Sequence, residues 1–408
     1  MHRTLVVVLA ALVALVGGVA DAAPTLERVV VVMRHGVRPP TQPAAVLGKY
    51  SAEPWPAWPV QPGDLTPHGA QTVALTGRTI RAAYVAHGLL PAHACAGPGA
   101  VSVWADGADE RTQMTGIVLA ASLEAGCPVP VDWKPGRTPR DPIFGGAMED
   151  ACKVDPAHMW TPVMTPAAAE TLKAANARLQ EIFAPTACQG GPGVCFARSP
   201  ESGGVFPMSA GLSEDILLEY AEGMPMKDVG WGRASPADIG VIMAIHETTF
   251  GRFHDNTYAS ARRGAAMARL ILAALDGQPA AGGPQTGPGL RLLGLAGHDT
   301  NLTLMAGTFG LTWKLPDQPD STAPSTALAF ELWRDGPRRY VRPVLYYQTL
   351  DQLRTLQPAL ARALPLRFAD CAGGPMGSCP LEAVRRHVEA LIPPDCGVRS
   401  VGPSGEMR

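Results

Sequence analysis

Apolar positions along the chain form two kinds of run. Residues 29–33, Val101–Ala105 and Leu292–Gly297 are short and almost uninterrupted. Such runs read as strands buried on both faces, as in a parallel sheet, because a half-exposed strand would alternate apolar and polar positions. Helical spacing fills much of the rest. Thr66 can cap a helix and Pro67 suits its first turn; Val73, Gly77, Ile80 and Tyr84 follow at helical intervals until Gly88. Met114, Ile117, Val118 and Ala121 place another helix after the second strand. The middle of the chain loses its strand-like runs: residues 167–183 and 212–222 read as helices separated by Gly/Pro/Ser loops. Residues 260–275 read as one further helix, residues 277–289 as a linker, and residues 327–333 and 340–347 as a late hairpin. The pattern predicts an α/β fold with a mostly parallel central sheet flanked by helices, formed by residues 23–151 and 257–408. A smaller inserted α-helical domain is expected over residues 152–256.

Composition narrows the classes. A length of 408 residues suggests one large or two unequal domains. A net charge of -2 without basic runs argues against a nucleic-acid partner. His2 and Arg3, an apolar and Gly run over residues 5–19, and Ala20-Asp21-Ala22 read as a secretory signal peptide ending at residue 22. The run is short of the roughly 20 residues a spanning helix needs, so no membrane association is expected after cleavage. Eight cysteines behind such a signal argue for disulfides. Cys188 and Cys195, and Cys371 and Cys379, are close enough to staple local loops, whereas Cys95, Cys127, Cys152 and Cys396 need longer bridges. Spacing alone leaves about 105 connectivities open. With no CxxC pair and scattered histidines, no metal or other cofactor is expected.

The three buried runs end in polar clusters: Arg34-His35-Gly36-Val37-Arg38, the turn from Asp106 to Arg111, and His298-Asp299. Ligands of open α/β sheets bind beyond the carboxyl ends of strands. Were these strands neighbours, one pocket would gather three arginines, two histidines and at least one aspartate. Guanidinium forks suit phosphoryl oxygens. Three of them around one point repel unless an anion lies among them, so the cluster implies a phosphoryl ligand. Arg111 breaks a local rule, a cation at a helix N-terminus, which marks it for function. Nearby cations favour a neutral, nucleophilic imidazole able to carry a phosphoryl group, while a carboxylic acid protonates the leaving oxygen. Gly36 is expected to let the backbone bend beside that imidazole.

Arg34-His35-Gly36-Val37-Arg38-Pro39-Pro40-Thr41, with Gly297-His298-Asp299-Thr300-Asn301-Leu302 far downstream, resembles the histidine acid phosphatases, branch 2 of the histidine phosphatase superfamily. The likeness is nearest to the bacterial periplasmic phytase/acid phosphatase and glucose-1-phosphatase group and covers nearly the whole mature chain. Trp55-Pro56-Ala57-Trp58-Pro59-Val60, Asp109-Glu110-Arg111-Thr112, Gly223-Met224-Pro225, Gly230-Trp231-Gly232-Arg233 and Thr349-Leu350 support it. The resemblance implies an exported, periplasmic or secreted acid phosphatase, taken as a monomer, acting on small phosphomonoesters such as phytate or a sugar phosphate. His35 would be the phosphorylated nucleophile and Asp299 the proton donor. Arg34, Arg38, Arg111 and His298 would hold phosphate oxygens, Thr41 would border the substrate, and His246 would contact it from the helical domain. The same resemblance implies the pairs Cys95–Cys127, Cys152–Cys396, Cys188–Cys195 and Cys371–Cys379.

Some positions depart from the phytase pattern. Gln42 stands where the periplasmic phytases carry a Lys, and Asp106-Gly107-Ala108-Asp109 is one residue longer than their turn, leaving open which Asp faces the pocket. Residues 133–207 match least. Glu214 and Glu247 are expected to be solvated, and Trp55 and Trp58 to pack beneath the active-site loop. A glucose-1-phosphatase, a phosphomutase and a non-catalytic phosphate-ester-binding protein are the competing readings.

Overall fold

Alternate residues of the first apolar run face opposite ways. In the computed structural model they form the middle of strand β1 (Thr25–Arg34), with Val30 and Val32 in one core cluster and Val29, Val31 and Met33 in another. Each buried side chain of this kind contributes about 1.5–3 kcal/mol, so burial on both faces favours the continuous run over an alternating one. The structure describes residues 23–396, apart from 52, 138–139, 146–151, 153–154, 156–157, 159–164, 184–207, 280–282, 372–373 and 395. The expected signal peptide and the Cys188–Cys195 pair lie outside the described residues.

Strands β2 (Val101–Ala105), β3 (Val131–Trp133) and β4 (Leu292–Gly297) join β1 in parallel, in the order β3-β2-β4-β1. The hairpin of β5 (Ala327–Asp335) and β6 (Arg338–Tyr347) continues the sheet antiparallel beside β1, and β7 (Arg362–Pro365) and β8 (Cys379–Pro380) both pair with β6. The α/β architecture is as expected, with the parallel half carrying the polar strand ends.

The helices are α1 (Ala44–Leu47), α2 (Pro67–Ala86), α3 (Glu110–Leu123), α4 (Pro142–Gly145), α5 (Pro166–Ile182), α6 (Met208–Ala221), α7 (Pro236–Asp255), α8 (Thr257–Arg263), α9 (Ala265–Asp276), α10 (Asp299–Phe309), α11 (Leu350–Thr355) and α12 (Leu381–Leu391). Val73 and Ile80 of α2 and Leu119 of α3 pack on one face of the sheet; Ile271 of α9, Met305 of α10 and Val388 of α12 pack on the other. A third cluster joins Leu179 of α5, Ile216 of α6 and Ile242 of α7 to Val37, Leu47, Ala323 and Leu353. Thr66 caps α2 by accepting from the Gly69 amide, as expected. The helix expected over residues 260–275 is two, α8 and α9, parted at Gly264, where a Cβ would lie 2.7 Å from the Met305 side chain and the Ser260 carbonyl oxygen. Disulfides Cys95–Cys127, Cys152–Cys396 and Cys371–Cys379 are formed. Among the described residues no helix is long and apolar enough to cross a membrane.

Candidate active site

Register brings the three polar clusters together. Arg34 lies opposite Gly297 and Ala105 opposite Ala296. The ladder runs one residue further, with the His35 amide donating to Gly297 O and the Asp106 amide to Ala296 O, both at 2.9 Å. Arg34-His35, Asp106 and His298-Asp299 therefore leave adjacent strands at the same edge. The loop after β1 then passes very close to the start of α2. A Cβ on Gly36 would stand 2.3 Å from the Gly69 carbonyl oxygen, and one on Gly69 2.2 Å from that of Val37. Gly36 is not in the left-handed region, so close approach, rather than the expected bend, is what requires a glycine there.

His35 is buried, and its Nδ1 lies 2.8 Å from Gly36 O. A carbonyl only accepts, so Nδ1 carries the proton and Nε2 keeps the lone pair. Burial, then Arg111, Arg38, Arg34 and His298, holds this imidazole well below its ordinary pKa. The neutral, nucleophilic form is thus favoured by both enclosure and surrounding charge.

Arg34 is fully enclosed and heavily engaged. It donates to Asp320 Oδ2 at 2.9 Å and Thr322 O at 2.6 Å, bonds Glu214, and lies 3.3 Å from Asp299 Oδ2. Burial opposes its charge, but Glu214, Asp299 and Asp320 outweigh this and raise its pKa. Arg38 donates to the other oxygen of Glu214 at 3.1 Å. Burial pushes Glu214 up, yet Arg38, Arg34 and His246 draw it below the usual carboxylate range. Two expectations need correction here. Glu214 is buried rather than solvated, because it bridges two guanidiniums, and Glu247 is half-buried, accepting from the Ser321 amide at 2.9 Å. The arginines are not a bare cationic knot, since carboxylates already compensate Arg34.

Arg111 projects from the first turn of α3. It donates to Gly63 O at 3.3 Å and pairs with Asp109 at 3.2 Å. Burial, with help from Arg38, lowers its pKa to about 10. Thr41 is exposed, and a Cβ on Gly63 would lie 3.6 Å from both its methyl and Arg111 Nη1. Among the described residues Gln42 hydrogen-bonds only Met208 Sδ, at 3.7 Å.

Both aspartates of the long turn face the cluster. Asp106 is fully buried, and its Oδ2 lies 2.9 Å from His298 Nε2 and 2.7 Å from Arg140 Nη2. Asp109 faces Arg111, Arg137 and Arg140. Asp299 is the first residue of α10, behind the N-cap His298, and its Oδ1 accepts from the Thr300 amide at 2.5 Å.

His246 does not line an open wall. It is completely enclosed, stacked on Phe250 at 4.2 Å, with Nδ1 3.8 Å from Asp320 Oδ1 and neither ring nitrogen hydrogen-bonded among the described residues. It stands beside Glu214 and Asp299, with one carboxylate oxygen of each within 4.8 Å of a ring nitrogen. Trp55 packs on Phe183 and Trp231, as expected of a support beneath the loop. Donor atoms of Asp106, Asp109 and His298 could in principle gather a metal, but Arg140 already supplies the cation there, as Arg34 does beside Glu214 and Asp299.

Arg140, Glu214 and Asp320 went unrecognised in the sequence. Glu214 left one usable signal, two adjacent acids directly before the apolar run Ile216-Leu217-Leu218 of α6. The assembled groups can bind a phosphoryl-like anion, attack it with Nε2 of His35, and move a proton through Asp299.

Comparison with known proteins agrees with this geometry. The histidine phosphatase superfamily (branch 2) matches residues 25–189. Phytase AppA of Escherichia coli is 30% identical over 90% of this chain and 92% of its own length. A glucose-1-phosphatase of Salmonella typhimurium is 24% identical over 88% of this chain and 90% of its own. The apo structure of a Hafnia alvei phytase resembles this fold with a TM-score of 0.82 at 30% identity, covering 93% of this chain and 100% of that one.

Proposed function

The chain belongs to branch 2 of the histidine phosphatase superfamily, and we propose from this that it is an exported acid phosphatase which hydrolyses phytate through a phosphohistidine. The observation that carries the reading is the His35 tautomer: Nδ1 is tied to Gly36 O, so Nε2 keeps the lone pair on a ring that Arg111, Arg38 and Arg34 surround with positive charge. Nε2 attacks phosphorus, the ester P–O bond breaks, and the leaving oxygen takes the proton of Asp299. Water then gives a proton to the Asp299 carboxylate, attacks phosphorus and breaks the P–N bond, restoring both groups. Arg38, Arg111, His298 and the anchored Arg34 hold the phosphoryl oxygens where charge develops. Thr41 borders the substrate at the rim, and His246 acts only through Glu214 and Asp299.

The helical cluster of α5, α6 and α7 supports treating residues 152–256 as an inserted domain, with residues 23–151 and 257–408 as the catalytic one. Three disulfides favour an oxidising compartment, periplasmic or extracellular. The enzyme is taken as a monomer.

The test is phosphate release from phytate and from glucose 1-phosphate, side by side at about pH 5, where an aspartate is partly protonated. His35→Ala is the blank. Turnover that survives in this variant overturns the phosphohistidine route. Preference for glucose 1-phosphate would replace phytate by the second reading, which Gln42, contributing no charge at the rim, favours.

A further inference from the structure

The proposed route leaves the protonation of His298 unassigned, and its neighbours decide it. His298 Nε2 lies 2.9 Å from Asp106 Oδ2, and Arg140 Nη2 lies 2.7 Å from that same oxygen. The second oxygen of Asp106 accepts from the Ala108 amide at 3.1 Å. Arg140 also stands 3.1 Å from Nε2. A lone pair on Nε2 would oppose a buried carboxylate oxygen at hydrogen-bond distance, so the proton lies on Nε2 and Asp106 accepts it. Burial alone would push Asp106 up, but His298 and Arg140 hold it as a carboxylate, well below its ordinary range. In the neutral ring Nδ1 is therefore the lone-pair nitrogen. A lone pair cannot donate to a phosphoryl oxygen.

We propose that His298 holds the substrate's phosphoryl group as an imidazolium, taking up a proton at Nδ1 on binding, with Asp106 as the positioning residue that fixes the ring and supplies its counter-ion. This rests on the phosphate-binding reading above. The charged neighbours explain why uptake waits for the ligand. His35 faces the ring from the end of β1 at 5.6 Å between centroids, Arg111 and Asp109 from the start of α3, Arg140 from the segment before α4, and Asp299 follows in the chain. Burial, Arg111 and Arg140 hold free His298 below its ordinary pKa despite Asp106. An anion among Arg38, Arg111 and Arg140 cancels their repulsion, and the imidazolium then gains two partners, phosphoryl oxygen at Nδ1 and Asp106 at Nε2. Substrate affinity thus strengthens toward acid pH by a route separate from proton donation by Asp299.

The test is calorimetric binding of myo-inositol hexasulfate, whose sulfates do not titrate, in buffers of different ionisation enthalpy. The protein carries His35→Ala and Asp299→Asn, which removes the other two central titrating groups. About one proton should be taken up per ligand near pH 7.5, and the uptake should shrink as pH falls and the free ring itself becomes charged. Adding Asp106→Asn, which keeps an acceptor for Nε2 but not the charge, should abolish most of that uptake and weaken binding at least about tenfold near pH 5. His298→Gln should abolish the uptake as well. Tight binding with no proton uptake at any pH overturns the proposal, as does uptake that survives Asp106→Asn or His298→Gln. Hydrolysis by the unmodified enzyme in that event leaves the phosphatase reading standing. Absence of both hexasulfate binding and hydrolysis removes that reading and this proposal together.

Discussion

At position 214 a single carboxylate decides whether two arginines can share a pocket. Glu214 gives one oxygen to Arg34 and the other to Arg38. Replacing it with alanine leaves Arg34, already fully enclosed, with less compensation, and removing one partner of a buried pair costs about 3–5 kcal/mol. Glu214→Ala should unfold well below the wild-type temperature and lose most phosphatase activity. Wild-type thermal stability in that variant would contradict the bridging role. Asp299 makes a chemical prediction instead. Asp299→Ala should slow esters with poor leaving groups by about 10²–10⁴-fold and p-nitrophenyl phosphate far less, because p-nitrophenolate leaves without a proton. Equal losses on both substrates would exclude proton donation. Local motif reading found His35, Arg38 and Asp299 because each adjoins a strand end that is itself visible in the sequence. It missed Glu214 and Asp320 because they reach Arg34 across 180 and 286 residues, and no local pattern encodes such a meeting.

Helix α2 and the loop after β1 form a coupled pair of elements. Gly36 and Gly69 let their backbones approach, Thr66 caps α2, and its hydroxyl also reaches Glu222 Oε2 at 2.6 Å. That loop carries Arg38 and Thr41, so the position of α2 sets the pocket rim. In Gly69→Ala the new Cβ would meet backbone at 2.2 Å, and the loop must move. A displacement near 1 Å at such a site costs about 10²-fold in rate, so kcat/KM should fall by roughly that factor while the far face of the sheet is unperturbed. Steady-state kinetics with a parallel melting curve checks this, and unchanged kcat/KM would dissociate the two elements. Long elements with strong periodicity were legible: β1, β2, β4, α2 and the late hairpin all stand where expected. Helix α7 was not, although Ser235 and Asp238 form a capping box at its start, because its apolar residues serve a helical core with no strand to set their spacing. The short strands β3 and β7 escaped for another reason, since three or four residues give too little pattern to distinguish from a loop.

Over the whole molecule, a net charge of -2 conveys nothing about how stability depends on pH, because that dependence comes from buried groups the sequence cannot locate. The folded structure divides them into two sets. His35 and His298 are held below 6.5, so the stability of their neutral forms is complete above that value and is lost as pH falls through it. Asp106 and Glu214 are held below the carboxylate range and add a further loss in stronger acid. Glu219 acts in the opposite direction. Burial raises it from 4.5 to about 8, with one oxygen accepting from the Gly230 amide at 2.8 Å and the other buried without a partner among the described residues. Its neutral form is common to the folded and unfolded chains below about 4.5, so its contribution is intact there. As pH rises from 4.5 to 8 the unfolded chain ionises while the folded one resists, and stability declines. Glu222 and Glu247 are raised in the same sense, chiefly by burial. The two sets together place the stability maximum on the acid side of neutrality, between about 4.5 and 6.5. Glu219→Gln isolates the alkaline side, because an amide keeps the acceptor for Gly230 and never ionises. The variant should melt close to the wild type at pH 5 and several degrees above it at pH 8, at about 2 °C per kcal/mol for a chain of this size. Calorimetric melts at the two pH values measure the difference. Parallel curves for the two proteins would mean that Glu219 is ionised in the fold, and the alkaline decline would then have to come from Glu222 and Glu247.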